Sequence, residues 1–406
     1  MSRDRLLAAI LAAILIVGAA ASVPALVFLS LSVGTAAILG RIWASLGAQN
    51  LVHAHSTPGS RCLVGEVANV QIRVDNPTPL PLPWVEISDP LPDPGFQLTA
   101  GPFGAEWVGL SVRTGLGWFE RLRRTYQFTA RRRGYYQIGP ASVRVWDPLG
   151  LSFVDRGFDD RLDITVLPIM VPLDELGIAA EHPFGDPQRD RWLFKDPLSV
   201  AGARPYQSGD PMTSIHWPAT AAAGTMMTRV HEGTRIPELS LFLNVTTMPV
   251  SWYGLVPELL ELSITTTASV ADHALHRGFA VGLYSNGSLV KRTPEDSARP
   301  IRIEPSASPG HLTDILEALA KTSDHGREPI ENTITRYIDP DDYGVHTVLV
   351  TPLITPGLGD VLGDLVHRNV PLTVLYTGDP PTPPVPEGTD IYSLGGRRRW
   401  ETLANR

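Results

Sequence analysis

Cysteine is nearly absent from this 406-residue sequence, which contains only Cys62. One thiol cannot form an internal disulfide, a CxxC redox pair or a thiolate-based zinc site, so these classes are excluded. A lone cysteine is more often a small buried residue than a nucleophile. The G-x-x-x-x-G-K-[ST], H-E-x-x-H and G-x-S-x-G motifs are also missing. Their absence removes the best-known nucleotide, zinc-protease and hydrolase sites.

An excess of basic charge is absent as well, since 34 lysines and arginines face 42 aspartates and glutamates, for a net charge of −8. A net acidic chain does not attract nucleic acid through its overall field, and we expect no nucleic-acid partner. The densest basic region consists of Arg121, Arg123, Arg124, Arg131, Arg132 and Arg133. These arginines form either a solvated strand face or a contact for anionic lipid headgroups.

Charged residues are missing altogether from the 35 positions that precede Arg41. One straight helix of that length would measure about 52 Å, against a hydrocarbon core of about 30 Å. Pro24 lacks a backbone N–H and interrupts the run, so we predict two helices, Leu6–Ala21 and Ala25–Trp43. The sequence therefore predicts a transmembrane helical hairpin in residues 1–45.

The few charges beside this hairpin predict its orientation. Arg3, Arg5 and Arg41 would lie on one side of the bilayer, and basic residues favour the cytoplasmic side. We therefore expect a multi-pass protein of the cell membrane with cytoplasmic soluble domains. The alternative is a cleaved signal peptide with its apolar core at Leu6–Ala20, but that interpretation leaves Ala25–Gly40 unexplained.

Residues 50–168 contain short runs of alternating apolar and polar residues between Pro, Gly and Asn turns. The clearest runs are VANVQIRVDN, WVEISDPL, RTYQFTARRRGYYQIG, ASVRVWDPLG and RLDITVLP. Alternation with a period of two buries one face of a strand, and many such strands in succession are typical of a β-sandwich. The prolines of NPTPLPLP exclude a central strand there, because each removes a ladder donor.

The sequence from residue 237 to 406 changes to a rhythm of strands and helices. Buried strands are predicted at ELSLFLNV, FAVGLYS, HTVLVTPL and VPLTVLYTG, and helices at Pro257–Arg277, HLTDILEALAKT, Glu328–Ile338 and GLGDVLGDLVHRN. PPTPPVPEG predicts an extended loop before a last strand and a short helix. Such alternation favours a mainly parallel sheet covered on both faces. We predict an α+β multidomain chain in which 169–236 connects a β-sandwich to an α/β domain.

The connecting segment carries polar and aromatic residues at offsets that helix or strand periodicity does not demand. They are Arg204, Tyr206, Gly209, Asp210, Ile215, His216, Trp217, Ala221, Gly224, Arg229 and Glu232. This run resembles the signature R-x-Y-x-x-G-D-x-x-R-x-I-x-W-x-x-x-A-R of the bacterial domain-of-unknown-function 58 proteins, with Thr213 and Ala222 replacing two arginines. The segment Arg131–Leu151, RRRGYYQIGP followed by DPLGL, is similar to a second motif of that family.

The resemblance implies that the α/β domain is von Willebrand factor A-like. In such domains the loop after the first strand commonly carries D-x-S-x-S, whose oxygens take up a divalent cation. The aligned positions are Asn244, Thr246 and Met248, so an amide replaces the carboxylate and a thioether replaces one hydroxyl. Neutral oxygens bind Mg²⁺ weakly, and methionine sulfur is a soft ligand. We therefore expect no functional metal site in this loop and no cofactor.

One interpretation of the signature is catalytic. Asp210, His216 and Glu232 would form the acid–base set of a hydrolase or another enzyme, because a carboxylate near an imidazole is what general catalysis needs. This interpretation requires the three side chains to converge in a pocket.

The other interpretation of the signature is structural. Gly209 would form a turn that Asp210 caps, while Tyr206 and Trp217 anchor the segment onto the α/β domain. Arg204 would pair with one of the two acids of the segment. A complete set of nucleophile, base and stabiliser is not evident, which favours this structural or docking role.

The sequence as a whole favours a membrane-anchored, non-catalytic protein that recruits or scaffolds other proteins. Genes of the resembled family often stand beside those of MoxR-type AAA+ ATPases, so the resemblance implies an ATPase of that type as partner. Two further alternatives are a metal-dependent adhesion-type binding domain and, if the membrane orientation is reversed, extracellular adhesion through the β-sandwich.

Overall fold

The computed structural model describes residues 3–90, 96–100, 110–178, 200–207, 212–231, 237–249, 254–290, 300–338 and 345–404. The chain divides into two compact units, Met1–Leu167 and Pro168–Arg406. The described residues combine α-helices with several β-sheets, one of which is a mixed sheet of six strands.

Two apolar helices begin the first unit, α1 at Arg3–Ala20 and α2 at Pro24–Asn50. The helix breaks ahead of Pro24 as predicted, because a proline suits the first helical position, where its missing N–H is not needed. The two helices approach closely at Gly18, where an added Cβ would lie 2.8 Å from Cβ of Leu26. By length and composition α2 is able to cross a membrane.

The second helix continues past Trp43, so the predicted end of this helix is wrong. Its last third packs on the sheets of the first unit, where Ala44 and Ala48 are fully buried. The indole Nε1 of Trp43 donates to the carbonyl oxygen of Pro81 at 3.0 Å. Small residues on this face let the helix backbone approach the sheets, and a side chain at Gly47 would overlap Leu82. Tertiary packing therefore extends the helix beyond its apolar run.

The strands of the first unit follow α2 directly. They are β1 Val52–Ser56, β2 Arg61–Leu63, β3 Val67–Asp75, β4 Leu82–Asp89, β5 Phe96–Ala100, β6 Leu110–Leu116, β7 Arg121–Ala130, β8 Gly134–Ile138, β9 Ala141–Trp146, β10 Phe153–Phe158 and β11 Leu162–Leu167. Three sheets have the orders β1-β3-β7-β5, β10-β9-β4-β6 and β2-β11-β8. Alternate residues of β3 are buried, and residues such as Val70, Phe128 and Val143 form one core with the end of α2.

The arginine-rich region does not form one strand face. Arg121, Arg123 and Arg124 lie on β7, whereas Arg131 and Arg132 lie in the turn that follows it. The solvated-face interpretation is therefore wrong for part of the region.

The second unit opens with β12 Val200–Pro205, α3 Trp217–Ala223 and β13 Met227–His231. Its larger part consists of β14 Glu238–Leu243, α4 Pro257–His276, β15 Ala280–Ser288, β16 Pro300–Ser306, α5 His311–Ala320, α6 Ile330–Tyr337, β17 Val345–Thr351, α7 Pro356–His367, β18 Leu372–Tyr376, β19 Asp390–Ser393 and α8 Gly396–Ala404. The six-stranded sheet has the order β16-β15-β14-β17-β18-β19. Every pair is parallel except β15–β16.

Helices cover both faces of this sheet. Phe242 and Leu349 pack with residues of α6 and α7 on one face, and α4 packs with α5 and α8. Because β14 and β15 are buried on both faces, they read as continuous apolar runs rather than as alternating ones.

Candidate functional site

The signature segment forms a small antiparallel pair with a short helix between its strands. β12 pairs with β13, Arg204 lying opposite Thr228 and Ala203 opposite Arg229. Ile215 is 2% exposed and bridges Thr228. Three signature residues, Gly209, Asp210 and Glu232, lie outside the described residues.

His216 begins α3, where its Nδ1 accepts a hydrogen bond from the backbone N–H of Ala219 at 3.1 Å. The ring therefore caps the helix and satisfies one of its otherwise unpartnered donors. The helix ends at Gly224, whose φ of 69° suits glycine. Asp210 and Glu232 lie outside the described residues, so this set stays a hypothesis.

Three further signature residues differ from the structural interpretation or extend it. Trp217 is 64% exposed. Contrary to the prediction, its side chain does not anchor the segment on the part of the second unit that the structure describes. Tyr206 is half-buried, and its backbone N–H donates to Met226 at 2.8 Å. Arg204 donates to the carbonyl oxygen of Pro205 at 3.1 Å.

A polar crevice of about 320 Å³ lies at the carboxyl ends of β14 and β17. The chain leaves β14 toward α4 and leaves β17 toward α7, on opposite faces of the sheet. In open α/β sheets such a reversal of direction produces a crevice, and ligands bind there. The lining residues include Asn244, Thr246, Glu331 and Thr355, and we call this place the switch-point crevice.

Two buried asparagines organise the floor of the switch-point crevice. The backbone N–H of Val245 donates to Oδ1 of Asn286, and the backbone N–H of Thr246 donates to Oδ1 of Asn244, both at 3.0 Å. These backbone donors fix the orientation of both amides. The Nδ2 group of Asn286 then donates to Asn244, to Thr246 Oγ1 and to the carbonyl oxygen of Glu328. Each amide is therefore held by several partners and has one defined orientation.

The fixed amide of Asn244 determines what can bind beside Thr351. Its Nδ2 donates to Oγ1 of Thr351 at 3.0 Å, and that hydroxyl donates to the carbonyl oxygen of Leu353 at 2.6 Å. A divalent cation beside Thr351 would face an N–H group rather than an oxygen. Met248, in the same loop, supplies only a soft sulfur. The residues at these positions do not fit the cation of a von Willebrand A-type loop.

The rim of the switch-point crevice carries two carboxylates, Glu328 and Glu331, together with Arg327. Thr355 caps α7 by accepting from the N–H of Leu358 at 3.1 Å, and its hydroxyl donates to Oε1 of Glu331. Glu328 accepts two hydrogen bonds from Arg336, at 2.8 and 3.0 Å. These bonds lower the pKa of Glu328 below its ordinary value. Because Arg336 engages both oxygens of Glu328, Glu331 is the rim carboxylate that is positioned to accept a further hydrogen bond from a ligand.

The sequence predicted Asn244 and Thr246 at this place but missed Asn286, Glu331 and Thr355. Asn286 directly follows the predicted strand FAVGLYS, so the sequence did not show that it lies beside Asn244 in the sheet. The Thr355–Pro356 pair is a helix-start signal, which would have placed a hydroxyl at the end of β17.

Residues 202–346 match the family model described as "Protein of unknown function DUF58". The predicted resemblance is therefore confirmed over the signature and much of the six-stranded sheet. An uncharacterized protein of Bacillus subtilis, YeaD, is 24% identical over 233 residues, which are 55% of this chain and 52% of that protein. The chain thus spans about half the length of this curated relative.

Solved structures show only weak similarity to the chain. A CARDB domain from Pyrococcus furiosus is 17% identical, covers 29% of this chain and 94% of its own, and has a TM-score of 0.20. The cupredoxin domain of amoB from Nitrosocaldus yellowstonii is 9% identical, covers 30% of this chain and 89% of its own, and also scores 0.20. Scores of this size assign neither a fold nor a function.

Proposed function

We propose that this chain is a membrane-anchored, non-catalytic protein-interaction module. In this proposal the first unit is a β-sandwich carried by the N-terminal helices. The second unit is a metal-free von Willebrand A-like domain that docks a protein partner at the switch-point crevice. The observation that carries the proposal is the hydrogen-bonded amide and hydroxyl floor of the crevice beneath the carboxylate of Glu331.

The chemistry of the crevice favours binding over catalysis. The side chains of Asn244, Asn286 and Thr351 are hydrogen-bonded to one another, so they hold the site in shape. Glu331 accepts a hydrogen bond from Thr355, and no basic side chain among the described residues forms an ion pair with it. A carboxylate in this position suits a lysine, an arginine or a backbone N–H of a partner. The proposed ligand is therefore a basic segment of another protein.

The exposed apolar surface of α2 supports the membrane anchor. Phe28, Ile38 and Leu39 are 75%, 64% and 61% exposed. Large apolar side chains concentrated on one exposed helix mark a contact with lipid or protein. The stretch of α2 that carries them precedes the last third of the helix, which packs on the first unit, so the sheets would lie immediately beside the bilayer. We propose the cytoplasmic side, from the basic residues that flank the helices.

A MoxR-type AAA+ ATPase is the proposed partner, by analogy with the resembled family. Affinity capture of the tagged full-length protein from detergent-solubilised membranes tests this partner. The informative variant is Glu331→Gln, which keeps an oxygen to accept from Thr355 while removing the charge. Glu317→Gln on α5 is the matched control, since it removes the same charge from a surface ion pair with Lys321.

We expect the wild-type protein and the Glu317→Gln control to enrich an AAA+ ATPase, and Glu331→Gln to enrich it several-fold less. Loss of one charge-assisted hydrogen bond costs about 1.5–3 kcal/mol, and tenfold in affinity corresponds to about 1.4 kcal/mol. Capture without any AAA+ ATPase would refute the partner. Equal enrichment by Glu331→Gln and its control would refute the crevice as the docking site.

A further inference from the structure

A cluster of histidine and aspartate side chains lies inside the first unit, far in sequence from the signature. His53 and His55 alternate on β1, so they project from the same side of the strand. Asp89 ends β4 in a different sheet, and Asp160 lies between β10 and β11. The side chains of the two histidines and of Asp89 are completely buried, and that of Asp160 is 36% exposed. We call these four residues the His–Asp cluster.

Several ring and carboxylate atoms of the cluster have no hydrogen-bond partner in the part of the chain that the structure describes. They are Nδ1 and Nε2 of His53, Nδ1 of His55 and Oδ1 of Asp89. A buried polar atom without a partner costs about 1–3 kcal/mol. Such atoms in a native fold call for an explanation, and a bound ion is one of the ordinary ones.

The spacing of the cluster suits a metal ion. Oδ2 of Asp89 lies 3.1 Å from Nε2 of His55 and 3.7 Å from Nε2 of His53. One ligand atom from each of these three residues can be chosen so that all lie within 4.8 Å of one another. Bonds of about 2.0–2.2 Å in a tetrahedral zinc site place neighbouring ligand atoms about 3.3 Å apart. The two separations that involve Asp89 are therefore close to those of a tetrahedral zinc site.

We propose that His53, His55 and Asp89 bind a divalent transition metal ion of the Zn²⁺ class through the two Nε2 atoms and the Asp89 carboxylate. Two imidazoles and one carboxylate are a common zinc ligand set, and a water would complete the tetrahedron. Neither Ca²⁺ nor Mg²⁺ is expected, because both prefer oxygen ligands.

Asp160 occupies the opposite side of the two imidazoles. Its Oδ2 lies 3.0 Å from Nδ1 of His55, without hydrogen-bond alignment, and 3.8 Å from Nδ1 of His53. A carboxylate behind a metal-bound histidine orients the ring and makes it a better ligand. Asp160 is therefore a positioning residue for the proposed site.

The consequence of binding would be structural. β1 begins at Val52, directly after α2 ends at Asn50, so the ion would tie the strand that leaves the helix to β4. An ion that binds only the folded state stabilises it in proportion to its free concentration above the dissociation constant. Zinc binding would thereby strengthen the connection between the helices and the sheets of the first unit.

The test uses the full-length protein in detergent after removal of metals with a chelator. Zn²⁺ content by elemental analysis, Zn²⁺ affinity by competition with a chromogenic chelator, and the visible spectrum with Co²⁺ are measured together. We expect one tightly bound Zn²⁺ per chain and the absorption of tetrahedral Co²⁺. Asp89→Asn should abolish both. Asp160→Asn should keep the stoichiometry but weaken Zn²⁺ affinity about 10–100-fold.

His276→Gln is the matched control, because it removes an exposed histidine that pairs with Asp272. This variant should bind Zn²⁺ as the wild-type protein does. The proposal is overturned if the wild-type protein holds no Zn²⁺, or if Asp89→Asn and His276→Gln bind it equally. If Asp89→Asn does not fold, the Co²⁺ spectrum and the affinity of Asp160→Asn decide: an octahedral spectrum, or an unchanged affinity, would contradict the site.

Discussion

Replacement of Gly326 by alanine is expected to disturb the floor of the switch-point crevice. A Cβ at this position would lie 2.6 Å from Oγ1 of Thr246 and 2.9 Å from Nδ2 of Asn286. Ordinary contact begins at 3.4 Å, so one neighbour must move by about 0.8 Å. Both atoms belong to the hydrogen-bonded network, and they cannot move that far without losing bonds. Overpacking of this kind costs about 1–3 kcal/mol.

Native-state hydrogen exchange measures this cost where it arises, since it reports local opening rather than unfolding of the whole chain. The amides of Val245 and Thr246 donate to the two asparagines, and their exchange should accelerate roughly 5- to 150-fold. Gly359→Ala in α7 is the control, because an added Cβ there meets nothing within 4 Å. Equal exchange of these amides in the two variants would refute the packing argument.

A second variant makes the test more specific. Thr246→Ala removes the oxygen that the new methyl group would strike, so Gly326→Ala should cost less in that background. Residues in contact commonly couple by about 0.5–3 kcal/mol in such a cycle. Strict additivity of the two substitutions would mean that the clash lies elsewhere.

Three further predictions concern local interactions outside the crevice. His216→Ala should destabilise α3 by about 1 kcal/mol, measured by hydrogen exchange of the α3 amides. His216→Asn should restore most of this stability, because asparagine also caps helices. Burial raises the pKa of Asp147, but hydrogen bonds from Ser152 and neighbouring amides outweigh it and lower the pKa. The Asp147 carboxylate therefore stabilises the fold above the ordinary aspartate pKa, and this stabilisation is lost as the pH falls through the lowered pKa. In thermal melts across a pH series, the melting temperature of Asp147→Asn should therefore fall less at acidic pH than that of the wild-type protein. Arg156 donates to the carbonyl oxygens of Ala48 and Leu51, and Arg156→Met should increase proteolysis at the end of α2.

Most strands of the six-stranded sheet, and most helices that pack on it, were predictable because their sequence patterns are local. An apolar run such as ELSLFLNV buries both strand faces, and the spacing within Pro257–Arg277 places one apolar stripe on a helix. Helix ends were less accurate, since the helix predicted at Glu328–Ile338 is α6 at Ile330–Tyr337. Its predicted first residue, Glu328, instead lies before the helix and pairs with Arg336 in the last helical turn.

The end of α2 was mispredicted because its cause is tertiary. The apolar run stops near Arg41, and the following residues carry no membrane signal. Gly40 packs against the Asp147 turn, where an added Cβ would lie 3.0 Å from Cβ of Asp147. The Asp147 turn also explains the DPLGL motif. The carboxylate of Asp147 accepts hydrogen bonds from the backbone N–H groups of Leu149 and Leu151 and so holds the turn in shape.

The His–Asp cluster was missed for a similar reason. The His-x-His spacing of residues 53 and 55 was visible in the sequence and predicts two side chains on one strand face. Asp89 and Asp160 are separated from them by tens of residues, and only the pairing and packing of sheets brings them together. A search for alternate histidines on predicted strands would have found half of the cluster.

Site-specific crosslinking at the switch-point crevice tests the central claim most directly. A photoreactive amino acid replaces Pro249, an exposed residue that lines the crevice, and in a control protein it replaces His367, an exposed residue at the far end of α7. After irradiation of intact membranes, the account predicts a covalent adduct with a protein partner from position 249 and little from position 367. Equal yields from both positions, or no protein adduct from position 249, would contradict the account.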